Sequence, residues 1–276
     1  MRIRRLAILL FCVLTAARAE AQFNVSKPAA GEQFHVELGL MFWQPTPAIT
    51  VQTDGLAALG GAGVDFVQEF GITETRFNEF RAVLKAGRKH KIRVSHVPME
   101  YDAQNVLQRT IVFGGVSYPV SVLATAHLKW EQWRFGYEWD FVAADRGVVG
   151  LVTQIQFNKV LAELSAAGYG TEVTDVSAPV PTLGILARVY PHRLFGITAE
   201  FGGFKVPGFI GKRITDAIGN DFDAHVFDID IYGTLSFGSH VGVQGGYRSI
   251  SADYVFDNDS GDLEMKGPYF GGVVRF

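Results

Sequence analysis

In the segment WRFGYEWDF, Trp133, Phe135, Tyr137, Trp139 and Phe141 stand at every second position, with Arg134, Gly136, Glu138 and Asp140 between them. A period of two is that of a β-strand, whose side chains point alternately to opposite faces. One such strand fits a soluble sheet or a membrane barrel equally well, and repetition of the pattern separates the two. Phe227, Ile229, Ile231, Leu235 and Phe237 alternate with Asp228, Asp230, Tyr232, Thr234 and Ser236. Phe195, Ile197, Ala199 and Phe201 alternate with Gly196, Thr198, Glu200 and Gly202, and Leu183, Ile185, Ala187 and Val189 with Gly184, Leu186, Arg188 and Tyr190. Weaker versions occupy 35–43, 77–86, 91–101, 150–164 and 241–254.

The connections carry an independent signal. Four are tight: Gly87 to His90, Ala144 to Gly147, Pro191 to Arg193 and Gly238 to His240. Longer polar or glycine-rich stretches lie near 44–76, 104–126, 165–180, 210–224 and 257–262. Short turns at one end and long loops at the other is the asymmetry of outer-membrane barrels. Ten strands follow, with both termini on the short-turn side. The segments VDFVQEFGI (64–72) and TIVFGGVSYPV (110–120) are read as loop structure above the membrane; were either to span, the count would be twelve, and eight is the other common number.

The first residues join a basic start (Arg2, Arg4, Arg5) to the apolar run LAILLFCVLTAA and the overlapping small-x-small sites Ala17/Ala19 and Ala19/Ala21, the pattern of a secretory signal peptide over 1–21. Residues 22–276 then form one domain, since no linker or low-complexity tract divides them. No later stretch approaches the roughly 18 apolar residues of a spanning helix, so any membrane crossing is made by strands. The only cysteine, Cys12, lies in the signal peptide, which leaves no disulfide and no thiolate metal site. Removing four arginines with that peptide takes the formal charge from −3 to about −7 before the loss of Glu20 is counted, which argues against a nucleic-acid partner.

The final segment, GPYFGGVVRF from Gly267 to Phe276, resembles the closing strand of bacterial outer-membrane β-barrel proteins, with alternating apolar residues and a C-terminal aromatic. RKHKIRVSHVPMEY (88–101) and RFGYEWDF (134–141) resemble a poorly characterised group of single-domain barrels of this kind. The resemblance implies an all-β, closed antiparallel transmembrane barrel in the outer membrane, surrounded by its lipids and assembled by the barrel-assembly machinery. Phe270, Val274 and Phe276 match the lipid-facing positions of the assembly signal, and Tyr269 adds a nearby aromatic. The resemblance carries no catalytic motif and argues for location, not activity; the expectation for the chain itself is a monomer with a structural, surface-interaction or narrow-channel role and no cofactor, with an outer-membrane enzyme, a surface protease or a lipid-modifying one, as the alternative.

The register turns Glu37, Glu79, Glu138, Asp140, Glu200, Asp228 and Asp230 inward, together with Arg81, Arg93, Arg134, Arg188, Arg248 and Arg275. Opposite charges in a narrow, low-dielectric interior should pair, because an unpaired one costs several kcal/mol. The expectation is a lumen filled by ion pairs, with a charge-lined pore as the alternative. Ten strands also invite comparison with the omptin proteases, which hold paired acids and a His/Asp pair at the rim; the candidates for such acid–base work are His225, Asp228 and Asp230, with His127 and Glu100. A lipid-modifying barrel would need adjacent Ser and His, but His96 lies far in the strand order from Ser249 and Ser251. Asp257, Asn258, Asp259, Ser260, Gly261 and Asp262 read as a solvated turn rather than a calcium loop. The Gly pairs 202–203, 245–246 and 271–272 mark bends or close backbone approaches. Trp130, Trp133, Trp139, Tyr137, Tyr190 and Tyr247 are candidates for aromatic girdles. The rival architecture, a soluble periplasmic lipocalin-like barrel binding an apolar ligand, would turn the apolar face inward.

Overall fold

The structure is a computed structural model that describes residues 29–52, 64–113, 115–205, 222–256 and 259–276; the signal-peptide reading lies outside these residues, as do Asp257 and Asn258. A short 3-10 turn (Ala30–Glu32) leads into β1 (Val36–Trp43), β2 (Thr46–Gln52), β3 (Val64–Asp65), α1 (Phe66–Phe70), β4 (Phe77–Gly87) and β5 (His90–Val106). A small hairpin of β6 (Ile111–Phe113) and β7 (Val116–Tyr118) precedes the long strands β8 (Leu123–Ala144), β9 (Gly147–Ala166) and β10 (Gly170–His192). The chain ends with β11 (Phe195–Lys205), β12 (Phe222–Phe237), β13 (Val241–Phe256) and β14 (Asp259–Arg275).

Ten strands, β1, β4, β5 and β8 to β14, pair antiparallel in that order, and β14 pairs back onto β1 to close the ring. Closure runs from Glu37 opposite Arg275 to Trp43 opposite Tyr269. β2 continues the line of β1 beyond Gln44 and Pro45 and pairs with the upper half of β14. The four tight turns lie where the sequence puts them, at one end of the barrel.

Neither 64–72 nor 110–120 spans. Asp65 caps α1 by accepting from the backbone N–H groups of Val67 and Gln68, and Gly71 ends it in the left-handed region at φ 68°. Both segments fold back into the barrel mouth instead of standing above it: Phe66, Phe70, Ile111, Phe113 and Tyr118 are buried. The long loop expected at 165–180 is a correction. β9 and β10 continue as paired strands to a tight turn at 167–169, with Gly168 and Gly170 at positive φ. Polar residues there are those of a strand pair in water, which composition alone does not distinguish from a loop.

The outer surface is apolar around the barrel over the half nearest the turns: Phe80, Phe135, Phe157, Leu183, Phe227, Phe237 (60%) and Phe270 (58%) are all exposed. A soluble monomer does not present a continuous apolar belt of this kind, and the charged residues lie inside it, which excludes the lipocalin-like inversion. β8 shows how the belt ends. From Trp133 to Phe141 its odd-numbered aromatics face out; from Ala124 to Trp130 its even-numbered residues face in and Lys129 and Glu131 face out. β5 and β9 make the same switch, with Val97, Met99 and Tyr101, and Ala162 and Leu164, turned inward. A strand of 22 residues spans about 70 Å when extended, whereas a tilted crossing takes about ten residues, so β8 to β10 rise well beyond the belt.

Two of the girdle candidates are corrected by this geometry. Trp130 is buried and its indole N–H donates to the Asn158 side chain at 3.1 Å. Tyr190 is buried and donates to Glu32 at 2.9 Å. Both occupy the even, inward phase of their strands; Trp133, Tyr137, Trp139 and Tyr247 face outward.

Candidate functional site: the barrel lumen

The lumen has two chemically different halves. In the half beyond the belt, Trp43, Phe77, Met99, Tyr101, Leu128, Trp130 and Leu164 from the wall pack with Phe66, Phe70, Phe113 and Tyr118 from α1 and the hairpin into one apolar core. The expectation of ion pairs throughout therefore needs correction: the strands emerge into water there, their outer face turns polar, and the hydrophobic effect drives the apolar face inward.

In the half nearer the turns the inward charges meet in pairs. Glu79 receives Arg248 through both oxygens at 2.9 Å and Arg81 at 2.9 Å. Asp230 receives Arg248 at 2.6 Å, Arg81 at 3.4 Å and the Tyr269 hydroxyl at 2.7 Å. Arg134 pairs with Asp228 at 2.6 Å, and its Nε donates to Gln132 at 2.7 Å. Closer to the turns, Arg93 reaches Glu200 at 2.8 Å and Glu138 at 3.4 Å, and Arg188 lies 3.6 Å from Glu138. Arg275 joins Glu37 at 2.5 Å and Ser236 at 3.0 Å. Every inward-facing charge named from the sequence thus has a partner of opposite sign or, for Asp140, the lysine described next.

Three members of the network are absent from that set. Lys91 is fully buried between Glu138 and Asp140, 2.9 Å from each. It stands two residues before Arg93, so the same period of two identifies it. Lys85 and Glu32 are joined at 2.8 Å, and Glu32 also accepts from Arg188 at 2.7 Å. Glu32 precedes the first strand, where no periodicity assigns it a face. Burial opposes its charge, but Arg188, Lys91 and Lys85 outweigh that and hold its carboxyl well below the usual carboxylate range.

A carboxyl depressed by folding stabilises fully above its unfolded pKa of about 4.3, and that contribution is lost only as the pH falls through the lower folded value. The difference in heat-conversion temperature between wild type and Glu32→Gln, read on a heat-modifiability gel, is therefore expected to be constant from pH 7 to pH 5. It should shrink only in stronger acid.

Among the described residues, this half holds a cavity of about 90 Å³ bounded by Arg81, Arg93, Arg188, Glu200 and Arg248 among others. That is room for a handful of water molecules.

The catalytic candidates do not assemble. His225 faces outward, 3.4 Å from Asp253, whereas Asp228 and Asp230 face the lumen on the opposite side of β12. His127 does meet acids: its Nδ1 lies 2.7 Å from Asp102 and its Nε2 3.8 Å from Glu100. These three could supply ligand atoms to a metal ion, but they sit on the outer wall, and the wall behind them is the apolar core. His96 stacks on Trp133 and reaches Glu131 at 3.2 Å. It is on β5, remote from Ser249 and Ser251 on β13. Phe270 and Val274 face outward on β14, Phe276 is exposed just past its end, and Tyr269, unlike them, faces the lumen.

No family model and no curated protein matches the sequence. Among solved structures, the outer membrane protease OmpT of Escherichia coli superposes with a TM-score of 0.52 at 8% identity, over 87% of this chain and 96% of that one. The fold is that of the outer-membrane β-barrels. The toluene transporter TodX of Pseudomonas putida aligns with 91% of this chain and 93% of its own at 8% identity, with a TM-score of 0.39. At these identities the likeness concerns the fold; the protease and transport activities in those descriptions belong to those proteins.

Proposed function

We propose that this protein is a sealed, monomeric outer-membrane barrel without catalytic activity, whose role is structural or is exercised by the strand extension standing clear of the lipid. The observation that carries this reading is the filled interior, an apolar core above and an ion-pair lattice below with a residual cavity of about 90 Å³. A conducting pore needs a continuous wet path, and the apolar core interrupts it. The separation of His225 from Asp228 and the outer-wall position of His127 support the non-enzymatic reading.

On this reading residues 1–21 are removed on export, outer-membrane lipids cover the belt, and the barrel-assembly machinery reads Phe270, Val274 and Phe276 during insertion. The short turns face the periplasm and the extension of β8, β9 and β10 faces outward from the cell. Refolded protein added to a planar bilayer is expected to insert without steady conductance. Large sustained openings would overturn the sealed-lumen reading.

A further inference from the structure

At the short-turn end of the barrel the segment before β1 lies across the mouth. Ala30 donates its N–H to the Arg193 carbonyl at 3.0 Å, which lays the 3-10 turn across the mouth. Gly31 rests on the Tyr190 ring so closely that a Cβ there would lie 3.1 Å from Cε1. Glu32 is thereby inserted between Lys85 and Arg188, with the Tyr190 hydroxyl donating to it as well. Lys91 also lies 3.4 Å from Glu32 but is held more closely, at 2.9 Å, by Glu138 and Asp140, so the shortest contacts of the Glu32 carboxylate are to Lys85 and Arg188.

Glu32 also separates two spaces. Arg188 and Tyr190 line the lumen cavity on one side. On the other, Glu32, Gln33, Phe34, Lys85 and Phe276 line a groove of about 610 Å³ that opens at the short-turn end. Phe34 belongs to both walls. The apolar core closes the lumen beyond, so whatever enters from this groove leaves by it.

We propose that Lys85, Arg188 and the Tyr190 hydroxyl form a receptor for a small free carboxylate, reached from the short-turn end and occupied here by the chain's own Glu32. Two cations of different reach and one phenol donor converge on a single carboxylate, with Arg188 and Tyr190 addressing one oxygen and Lys85 the other. With Lys91 counted, three cations face the two carboxylates of Glu138 and Asp140 once Glu32 leaves, an excess that draws an anion in. The segment before β1 is then a tethered competitor, favoured over a free ligand by its high local concentration.

Chemical rescue tests this. Full-length Glu32→Ala protein is refolded in detergent and titrated at constant ionic strength with acetate, with acetamide as the neutral isostere, and the heat-conversion temperature is followed. Acetate is expected to raise that temperature for Glu32→Ala, with half-saturation on the order of 1–10 mM as suits a four-atom ligand, and to leave wild type unchanged. Acetamide should do nothing. In Glu32→Ala/Lys85→Ala the acetate effect should disappear. If Glu32→Ala does not refold in chloride, its refolding yield with acetate is the same test. Indifference of Glu32→Ala to acetate in both readouts, an equal response of wild type, or survival of the effect without Lys85 would overturn the proposal. Equal rescue by phosphate would overturn its restriction to carboxylates. Bilayer conductance of Glu32→Ala should stay at the baseline whichever way the titration falls, because the apolar core is untouched, so the sealed-lumen reading is tested separately.

Discussion

Replacing Arg248 with methionine is expected to abolish the compact, heat-modifiable form of the protein or to shift its urea midpoint far down. Arg248 bridges Glu79, through both of its oxygens, and Asp230, and all three are almost wholly buried. Removing the guanidinium leaves two carboxylates facing each other in a low-dielectric interior, with Arg81 alone between them. Breaking a buried pair in this way costs about 3–5 kcal/mol. Arg248→Lys should be intermediate, since Arg248 meets Glu79 through Nη1 and Asp230 through Nη2, and a lone ammonium nitrogen cannot match that separation of donors. The double replacement Glu79→Gln/Arg248→Met should recover part of the loss, because the uncompensated charge is then smaller. The exposed pair Arg88–Asp145, at 3.7 Å, is the control, and Arg88→Ala should leave the urea midpoint in place. Urea titration of the refolded variants, followed by tryptophan fluorescence, reads all four.

Gly271→Val is expected to prevent barrel closure, leaving only the unfolded band on an unheated gel. Gly271 faces the lumen side of β14 opposite Met41, on the seam where the last strand meets the first. A Cβ there would overlap the Leu40 carbonyl and press into Met41, and backbone cannot yield as a side-chain tip can. The seam is also the joint that converts a sheet into a ring. If it opens, two rows of backbone donors and acceptors face lipid without partners. Gly245→Ala is the matched control: its Cβ would meet the Tyr269 carbonyl at 3.8 Å, an ordinary contact, so the folded band should persist.

The two variants also show which parts of the site were legible in the chain. Gly271-Gly272 could be read as a close backbone approach, because glycine in a strand has few other uses. Its partner, Leu40, could not be read, since it follows from closure. Arg248 and Glu79 could each be assigned to the inner face from the alternation around them. Their meeting across 169 positions of sequence could not. Trp130 and Tyr190 failed as girdle residues for a related reason: aromatic character says that a ring will be buried or will sit at an interface, while strand phase decides which. Glu32 left no trace, because a residue outside a strand has no phase to read.

What the sequence by itself determined is the set of faces. A side-chain period of two divides each strand into one face for lipid or water and another for the interior, and that division follows from backbone geometry whatever the partner strand. It yielded the inward charges and the apolar belt, the turns and loops added the count of ten strands, and β8 carried in plain view the exchange of its apolar side from the even to the odd positions between Trp130 and Trp133, which marks where the belt ends. The tertiary structure decided what periodicity does not encode. Closure and stagger of the ring set which inward charge meets which. The fold-back of α1 and the β6–β7 hairpin, driven by burial of Phe66, Phe70, Phe113 and Tyr118, made the outer half of the lumen apolar. The entry of Glu32 between Lys85 and Arg188 at the other end was likewise decided by the fold, because a charge pair formed out of water is strong only where three-dimensional packing brings its members together.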